Sequence, residues 1–257
     1  MTTPRLTRRL SSLMLALTAL AIVVPAAPAL AARGWSSERV QGSGHIKTEA
    51  RALGHFSGVS MGLPGSLELR IGNSESVTIE TDDNLLPLIE TVIENGSLKI
   101  RPSKRNLDID GRHLKIVVQA KGVDQIALGG SGSIDADALR GPKVLIDLGG
   151  SGSIKLRGVD SDALTVVLGG SGDLKVAGGA TKKLSLSIAG SGDVDLGKLQ
   201  SADASVNIAG SGEATISVRD NLNVTIAGSG DVNYYGDPRV SKTSIGSGSA
   251  KRLGAAR

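Results

Sequence analysis

The tripeptide Gly-Ser-Gly is the feature of this sequence that first suggests chemistry, because glycine-rich loops hold phosphates or present nucleophiles. A Walker-type phosphate loop needs Lys and then Ser or Thr after its last Gly, and no copy has that continuation. A dinucleotide-binding loop needs a third Gly, which every copy lacks, and a helix after it. Both nucleotide-binding classes are therefore excluded. The copies that recur at regular spacing, called the triplets from here on, begin at Gly130, Gly150, Gly170, Gly190, Gly210, Gly228 and Gly246.

A nucleophilic serine in these triplets would need a general base within reach. The three histidines, His45, His55 and His113, all precede the regular repeats. The nucleophile elbow of α/β hydrolases also requires Gly two residues after the serine, where this chain has Ser133 or Asp173 in different copies. No catalytic residue is predicted on this pattern.

A cation site is the remaining chemical interpretation of the triplets. In four consecutive copies the residue after the triplet is acidic: Asp173, Asp193, Glu213 and Asp231. These side chains are expected to form an outward column, in which neighbouring carboxylates ~5 Å apart repel by roughly 1 kcal/mol per pair in water. A weakly bound cation would relieve the repulsion; screening by water and by nearby Lys175 would do so equally. The spacing differs from that of calcium-binding nonapeptide repeats, so no metal ligand and no cofactor is assigned.

The spacing of the triplets points to a repeating frame. The intervals are four of 20 residues and two of 18, and a fixed period of this size is typical of a solenoid. Apolar and polar residues alternate before each triplet, and an apolar residue follows two places after it, a period of two that predicts strands. The sequence therefore predicts an all-β, single-chain parallel β-helix (β-solenoid) with coils of about 20 residues and Gly-Ser-Gly corners. The predicted inward residues are Val144, Ile146, Leu148, Leu164, Val166, Leu168, Leu184, Leu186, Ile188, Ala204, Val206, Ile208, Leu222, Val224, Ile226, and after the triplets Ile134, Ile154, Leu174, Val194, Ala214, Val232 and Ala250.

Three further expectations concern the corners and the segments that lead from one coil to the next. Gly is expected there because it tolerates unusual φ and carries no side chain to collide with adjacent coils. The Gly or Ala before each triplet is expected to keep the corner narrow, and Ile245 departs from that rule in the last copy. The segments that return to the next coil are expected to be polar loops that hold Pro142 and Pro238 outside the strands.

The N-terminal residues predict that the protein is exported. Three arginines, a 12-residue apolar run over residues 13–24 and a small-residue site predict a signal peptide over 1–31, cleaved between Ala31 and Ala32. The alternative, a membrane anchor, would need ~18 to 20 apolar residues. Residues 32–45 are expected to be a flexible lead-in, 46–254 one solenoid domain and 255–257 a tail, with no membrane span after the leader.

Composition narrows the function classes. The chain has 29 basic and 25 acidic residues, but three arginines lie in the predicted leader, so a nucleic-acid partner is not expected. There is no Cys, which excludes disulfides and thiol chemistry. The whole chain contains one Trp, one Phe and two Tyr, which leaves few platforms on which a sugar could stack.

The sequence resembles a family of bacterial domains, the putative auto-transporter adhesin head or GIN domain. The resemblance lies in "HFSGVSMG" at residues 55–62, "SVTIETDDNLLPLIETVIENGSLKI" at 76–100 and the repeated triplet units that end in "GSGSAKRLG". It implies an exported single-domain β-helix of the bacterial envelope, located in the periplasm, on the cell surface or outside the cell. It brings no catalytic or binding residue to this chain.

The expected function is a non-enzymatic module of adhesion or interaction, whose partner is an envelope glycan or protein. Mixed charges predicted on the outer face suit such a role; they are Lys155, Arg157, Lys175, Asp193 and Asp195. The alternative is a carbohydrate-active β-helix enzyme, lyase- or esterase-like, acting on an envelope or environmental polysaccharide. An enzyme would show a groove with converging acids and bases.

Overall fold

The computed structural model describes residues 38–110 and 112–256, and 73% of this part of the chain lies in strands. A single 3₁₀ turn, Leu86–Leu88, interrupts them. The strands are β1 Glu38–Val40, β2 Ile46–Ala52, β3 Gly58–Met61, β4 Ser66–Ile71, β5 Ser76–Asp82, β6 Ile89–Glu94, β7 Ser97–Pro102, β8 Leu107–Ile109, β9 Lys115–Ala120, β10 Gln125–Gly130, β11 Ser133–Gly150, β12 Ser153–Gly170, β13 Asp173–Val176, β14 Gly179–Gly190, β15 Asp193–Gly210, β16 Glu213–Gly228, β17 Asp231–Tyr235, β18 Arg239–Gly246 and β19 Ser249–Gly254.

The strands form a β-solenoid of about six turns with coils of about 20 residues, which confirms the predicted fold. Successive coils pair in parallel with a constant offset: β11 aligns Ser133 with Ser153 of β12, and β12 aligns Leu164 with Leu184 of β14. Because equivalent residues stack directly, each position of the repeat becomes a column along the solenoid.

The core consists of these inward columns. Every predicted inward residue is buried at 5% exposure or less, except Ala250 in the last coil, which is half-buried against the same cluster. Alternation with a period of two sends every second side chain inward, so no helix is needed to cover the sheets. Each buried aliphatic side chain contributes roughly 1.5–3 kcal/mol.

The Gly-Ser-Gly corners are close contacts between coils, as predicted. The first Gly of every triplet has a positive φ, between 104° and 136°. At the second Gly of the triplet a side chain has no room: a Cβ on Gly172 would lie 2.5 Å from the carbonyl oxygen of Gly152 in the preceding coil. The serine between them donates its amide to the preceding coil, as Ser171 does to Gly150 O at 2.9 Å. The triplet is thus a corner of the frame.

The small residue before each triplet is not needed for space, so that expectation is wrong. A Cβ on Gly169 would meet nothing within 4 Å, and one on Gly149 would only reach the carbonyl oxygen of Leu128 at 3.9 Å. Space for a side chain is limited only at the two glycines of the triplet, as at Gly170 and Gly172. Ile245 can therefore occupy the equivalent position in the last coil.

The return segments are strands, so the prediction of polar loops is wrong for most coils. β11, β12, β15 and β16 continue through them, and Pro142 lies inside β11. The ladder passes over this proline, because Gly141 pairs with Ser161 and Lys143 with Ala163. Hydroxyls bond between coils here, as from Ser161 Oγ to Thr181 Oγ1 at 3.0 Å. Pro238 lies between β17 and β18, as predicted, and the register shifts of the shorter coil fall in the return segment of β15.

Residues before β10 continue the solenoid and then close it with antiparallel strands. β3 and β4 add in parallel to β10 and β11, whereas β5 pairs antiparallel with β9 and β2, and β6 antiparallel with β7. Glu38–Val40, within the predicted lead-in, form β1 and pair with β8. The predicted leader 1–31, with Ala31 and the following Ala32, lies outside the described residues.

Candidate functional site: the charged face and its groove

The outer side of the sheet that follows the triplets carries two columns of polar residues, and we call this surface the charged face. It runs over β9, β4, β11, β12, β13, β15, β16, β17 and β19. The column next to the corner holds Lys115, Ser66, Ser133, Ser153, Asp173, Asp193, Glu213, Asp231 and Ser249. The second column, two residues farther on, holds Val117, Glu68, Asp135, Lys155, Lys175, Asp195, Thr215, Asn233 and Lys251.

A groove of about 540 Å³ crosses the part of this face formed by the first coils. Such a volume lies in the range of small-ligand sites, ~300–1,000 Å³. We call the apolar part of its lining the floor; it is formed by Leu67, Leu69, Ala136, Leu156 and Ala177. The rest of the lining bears both signs of charge. The charged residues that line it are Glu68, Lys115, Asp135, Asp137, Lys155, Arg157 and Lys175.

Ion pairs neutralise part of this lining. Arg157 Nη1 lies 2.9 Å from Asp137 Oδ1, and Lys175 Nζ lies 2.9 Å from Asp195 Oδ2. Arg70 holds Glu68 from the side of the groove with Nε to Oε1 at 2.8 Å.

Two of these acids, Glu68 and Asp195, have a pKa below the usual range. The hydrogen bond from Arg70 lowers the pKa of Glu68. Partial burial raises the pKa of Asp195, but hydrogen bonds from Lys175 and from the Gly197 amide outweigh it and leave that pKa lowered. Both carboxylates are therefore charged at neutral pH.

Two ammonium groups of the groove lie outside its ion pairs, although the charge of Lys115 acts on Glu68 and contributes to lowering the pKa of that carboxyl. Among the described residues Lys115 and Lys155 form no ion pair, although Asp135 and Lys155 are direct neighbours across the β11–β12 ladder. Both lysines are exposed at the surface. The groove thus offers two free cations beside an apolar floor, an arrangement that can bind a carboxylate or a phosphate group on a larger ligand.

A smaller notch of about 430 Å³ adjoins the groove and shares Asp137 and Arg157 with it. The Ile71 amide donates to Asp137 Oδ2 at 3.0 Å, so this carboxylate is engaged on both sides. Ile71, Val123 and Ala138 give the notch apolar walls, and the cations Lys121 and Arg140 stand at its rim.

The four predicted cation-column residues do align. Asp173 pairs in register with Asp193, Asp193 with Glu213 and Glu213 with Asp231. All four are exposed. Protein donors already serve the last two: Asn233 Nδ2 donates to Glu213 at 2.6 Å, and the amide and hydroxyl of Ser249 donate to Asp231 at 2.9 and 2.7 Å. In residues 38–110 and 112–256 no three His, Cys, Asp or Glu side chains come together as a metal site.

Two of the three histidines, His55 and His113, pair with acidic side chains in or next to β5. His55 Nδ1 lies 2.6 Å from Glu75 Oε1, and His113 Nδ1 lies 3.5 Å from Asp82 Oδ2. In the described residues no hydrogen bond joins a histidine to a serine of the regularly spaced triplets. His45 donates only its backbone amide, to Ser43 Oγ at 3.2 Å outside that series, so no Ser-His pair of side chains forms at a corner.

Sequence reasoning found Lys155, Arg157 and Lys175 on this face but missed Glu68, Lys115, Asp135 and Asp137. Their signal was present in part: "GSLEL" at 65–69 has the same order of Gly, Ser, apolar and acidic residues as "GSIDA" at 132–136. The structure pairs these two segments residue by residue, from Ser66 with Ser133 to Leu69 with Ala136. The first coil thus lacks only the strict triplet.

Comparison with known proteins places the chain in one family. The model of the family described as "Putative auto-transporter adhesin, head GIN domain" matches residues 55–238. None of the curated proteins matches the sequence significantly. No helix in residues 38–110 and 112–256 has the length and apolar character needed to traverse a bilayer.

Solved structures share the fold. A putative adhesin from Bacteroides fragilis NCTC 9343 is 21% identical, with a TM-score of 0.77 over 83% of this chain and 100% of its own. A putative lipid binding protein from Parabacteroides distasonis ATCC 8503 is 27% identical, with a TM-score of 0.70 over 84% of this chain and 100% of its own. A putative adhesin from Parabacteroides merdae ATCC 43184 is 20% identical, with a TM-score of 0.65 over 84% and 99%.

Proposed function

Since the chain belongs to the family of putative auto-transporter adhesin head GIN domains, we propose that it is a non-enzymatic adhesion module that binds a negatively charged glycan polymer of a cell surface. The groove on the charged face is the binding site. The observation that carries the proposal is the pair of lysines, Lys115 and Lys155, outside the ion pairs of the groove and beside the apolar floor.

The repeat of the face suits a polymer. Within one column, equivalent residues of successive coils lie ~4.8 Å apart. A chain of sugars laid across several coils therefore meets charges at regular intervals. Exposed charges of this kind attract a ligand over about one Debye length, ~8 Å at physiological ionic strength. Binding is therefore expected to weaken as salt is added.

The test is binding of the purified protein to an array of matched glycans that differ in carboxylate or phosphate content. Lys155→Glu and Lys115→Glu are expected to reduce binding to the acidic members at least tenfold. Lys143→Glu is the control, because Lys143 is exposed in β11 but lies outside the groove. Equal binding of neutral and acidic glycans, or equal loss in all three variants, would contradict the proposal. Shortening of a bound glycan would favour a carbohydrate-active enzyme instead.

A second candidate ligand is an amphipathic anion held in the notch. Two observations favour it: the notch combines Ile71 and Val123 with the cations Lys121 and Arg140, and the neighbour at 27% identity is described as a putative lipid binding protein. The described core is filled by aliphatic side chains, so such a ligand would bind at the surface. Dodecyl phosphate should then bind more tightly than dodecyl maltoside, and Arg140→Ala should abolish the difference. Equal affinities of the two would reject this candidate.

The proposed site of action is the bacterial envelope or the cell exterior, which rests on the leader predicted over residues 1–31. Expression in a bacterium followed by mass analysis of the N-terminus tests it. A mature chain that begins at Ala32 in the periplasm or medium supports export. An intact N-terminus in the cytoplasm would refute it.

A further inference from the structure

The last coil, formed by β18 and β19, departs from the repeat at its inward positions. In the β16–β18 ladder Val224 is followed by Lys242 and Ile226 by Ser244. Lys242 Nζ and Ser244 Oγ both donate to the carbonyl oxygen of Gly248, at 3.1 and 3.2 Å. Two apolar columns of the core therefore end in polar groups, which tether the final corner.

This coil is also an open edge. β18 pairs with β16 and β19 with β17, and no other strand of the described chain pairs with either. All eight residues of β18 are exposed. Half of the backbone N–H and C=O groups of an edge strand face away from the sheet, where they can pair with another strand.

Of the features that make an edge strand unsuitable for pairing, β18 has only its two cations, Arg239 and Lys242, which a strand of opposite charge would neutralise. Natural edges are often short or interrupted by a bulge. β18 instead keeps an unbroken register from Arg239 to Gly246, and the irregularity in this coil falls in β19. Val240, Thr243 and Ile245 are β-branched, which suits an extended strand. Ile245 is 75% exposed at a position where the preceding copies have Gly or Ala.

Charge identifies the kind of strand that fits. Residues 236–256 carry four basic side chains and one acidic, whereas residues 38–235 carry 20 basic and 24 acidic. Two copies meeting edge to edge would bring Arg239 and Lys242 of each onto one seam, and like charges on adjacent strands are destabilising. An acidic strand meets the opposite condition.

We propose that β18 is a docking site for an acidic extended segment of a partner protein, which adds to the solenoid as one more strand. Its backbone pairs with the free edge of β18 over about eight residues, or ~26 Å. Carboxylates of the partner lie on the face of β18 that carries Lys242, and its apolar side chains lie on the opposite face, where they cover Ile245. This site is separate from the groove, so both can be occupied together.

The experiment measures binding of a fluorescent, end-blocked decapeptide of alternating Val and Glu to the purified protein. The comparison peptide is the same sequence with alternate residues N-methylated, which keeps the charge but removes one row of backbone donors. We expect binding of the first peptide, at least tenfold weaker binding of the second, and slower hydrogen exchange in β18 only with the first. Lys242→Glu should weaken binding at least tenfold, and Lys143→Glu should leave it unchanged.

Three results would overturn the proposal. Equal binding of the two peptides would mean attraction of charge without strand addition. Failure of both peptides, together with binding to phosphatidylglycerol vesicles that Lys242→Glu removes, would make the basic end a membrane contact. Peptide-free protein that dimerises through protected β18 amides would assign the edge to a second copy. Because the peptide comparison uses the unaltered protein, it remains decisive even if Lys242→Glu disturbs the last coil.

Discussion

The glycines of one corner give a prediction that the structure makes quantitative. Gly169, Gly170 and Gly172 lie within four residues of each other but meet different surroundings. At Gly170 the φ of +120° is unfavourable for any side chain, and a Cβ would overlap the carbonyl oxygen of Gly150. At Gly172 only the contact is unfavourable, and at Gly169 neither is. Three alanine substitutions therefore separate backbone strain from crowding.

The magnitudes follow from these two effects. Backbone strain of this kind costs about 1–3 kcal/mol and overpacking about 1–3 kcal/mol, so Gly170→Ala is expected to lose about 2–6 kcal/mol of unfolding free energy. Gly172→Ala should lose about 1–3 kcal/mol. Gly169→Ala should be neutral or stabilise by about 0.4–1 kcal/mol, because alanine restricts the unfolded chain.

Urea unfolding followed by circular dichroism measures the series. In thermal unfolding, a loss of ~3 kcal/mol of unfolding free energy corresponds to a fall in Tm of roughly 6–12 °C for a chain of this size. Repeat arrays can lose cooperativity, so the slope of the transition must be compared along with its midpoint. If all three variants unfold like the unaltered protein, the triplet is not a steric requirement, and its repetition would need another explanation.

Three further predictions concern the columns. Asp193→Asn should stabilise the protein by up to ~1 kcal/mol by relieving repulsion within the acidic column, and 1 M salt should remove the gain; Asp147→Asn is the control, since its strand neighbours are uncharged, and equal effects would argue against column repulsion. Leu186→Ala, in the middle of the core, should cost about 2–5 kcal/mol in urea unfolding, whereas Val167→Ala at 40% exposure should cost no more than ~0.5 kcal/mol; similar losses would contradict the inward assignment. The side chain and the backbone amide of Ser249 donate to Asp231 and lower the pKa of that carboxyl. The stabilisation of the folded state by this carboxylate is therefore present above the unfolded pKa of about 3.9 and is lost as the pH falls through the lower folded pKa. Asp231→Asn should reduce the loss of unfolding free energy at acid pH, and an unchanged dependence on pH would contradict the assignment.

The repeat made the fold predictable from sequence, because each inward position recurs in several copies and errors at one copy are corrected by the others. The antiparallel strands β2, β5 and β6 were not predictable in this way. They occur once each, and alternation with a period of two is the same for parallel and antiparallel pairing. The return segments were misjudged because polar and small residues also fit a strand whose outer side is in water and whose inner hydroxyls bond to the next coil, as Ser161 bonds to Thr181.

The groove was only half predictable for a related reason. Lys155 and Lys175 lie in regular copies, so their outward position followed from alternation. Lys115 and Glu68 lie in strands without the triplet, and their place depends on the register of β9 and β4 against β11. Register between distant strands is set by the assembled stack rather than by local sequence. Local sequence therefore predicts that Lys155 and Lys175 point outward, but it does not predict which side chains surround them.

The solenoid separates what holds the fold from what can bind. Along the second column of the charged face the outward residues change from acidic to basic, back to acidic and then to neutral, while the adjoining inward residues remain apolar. The outward series is Glu68, Asp135, Lys155, Lys175, Asp195 and Thr215, and the inward series beside it is Leu67, Ile134, Ile154, Leu174, Val194 and Ala214. An outward charge can change without a cavity or a buried polar group, so ligand preference can vary from coil to coil at little cost in stability. Likeness of fold between members of this family therefore does not imply a common ligand, and the outward columns of each member must be compared residue by residue.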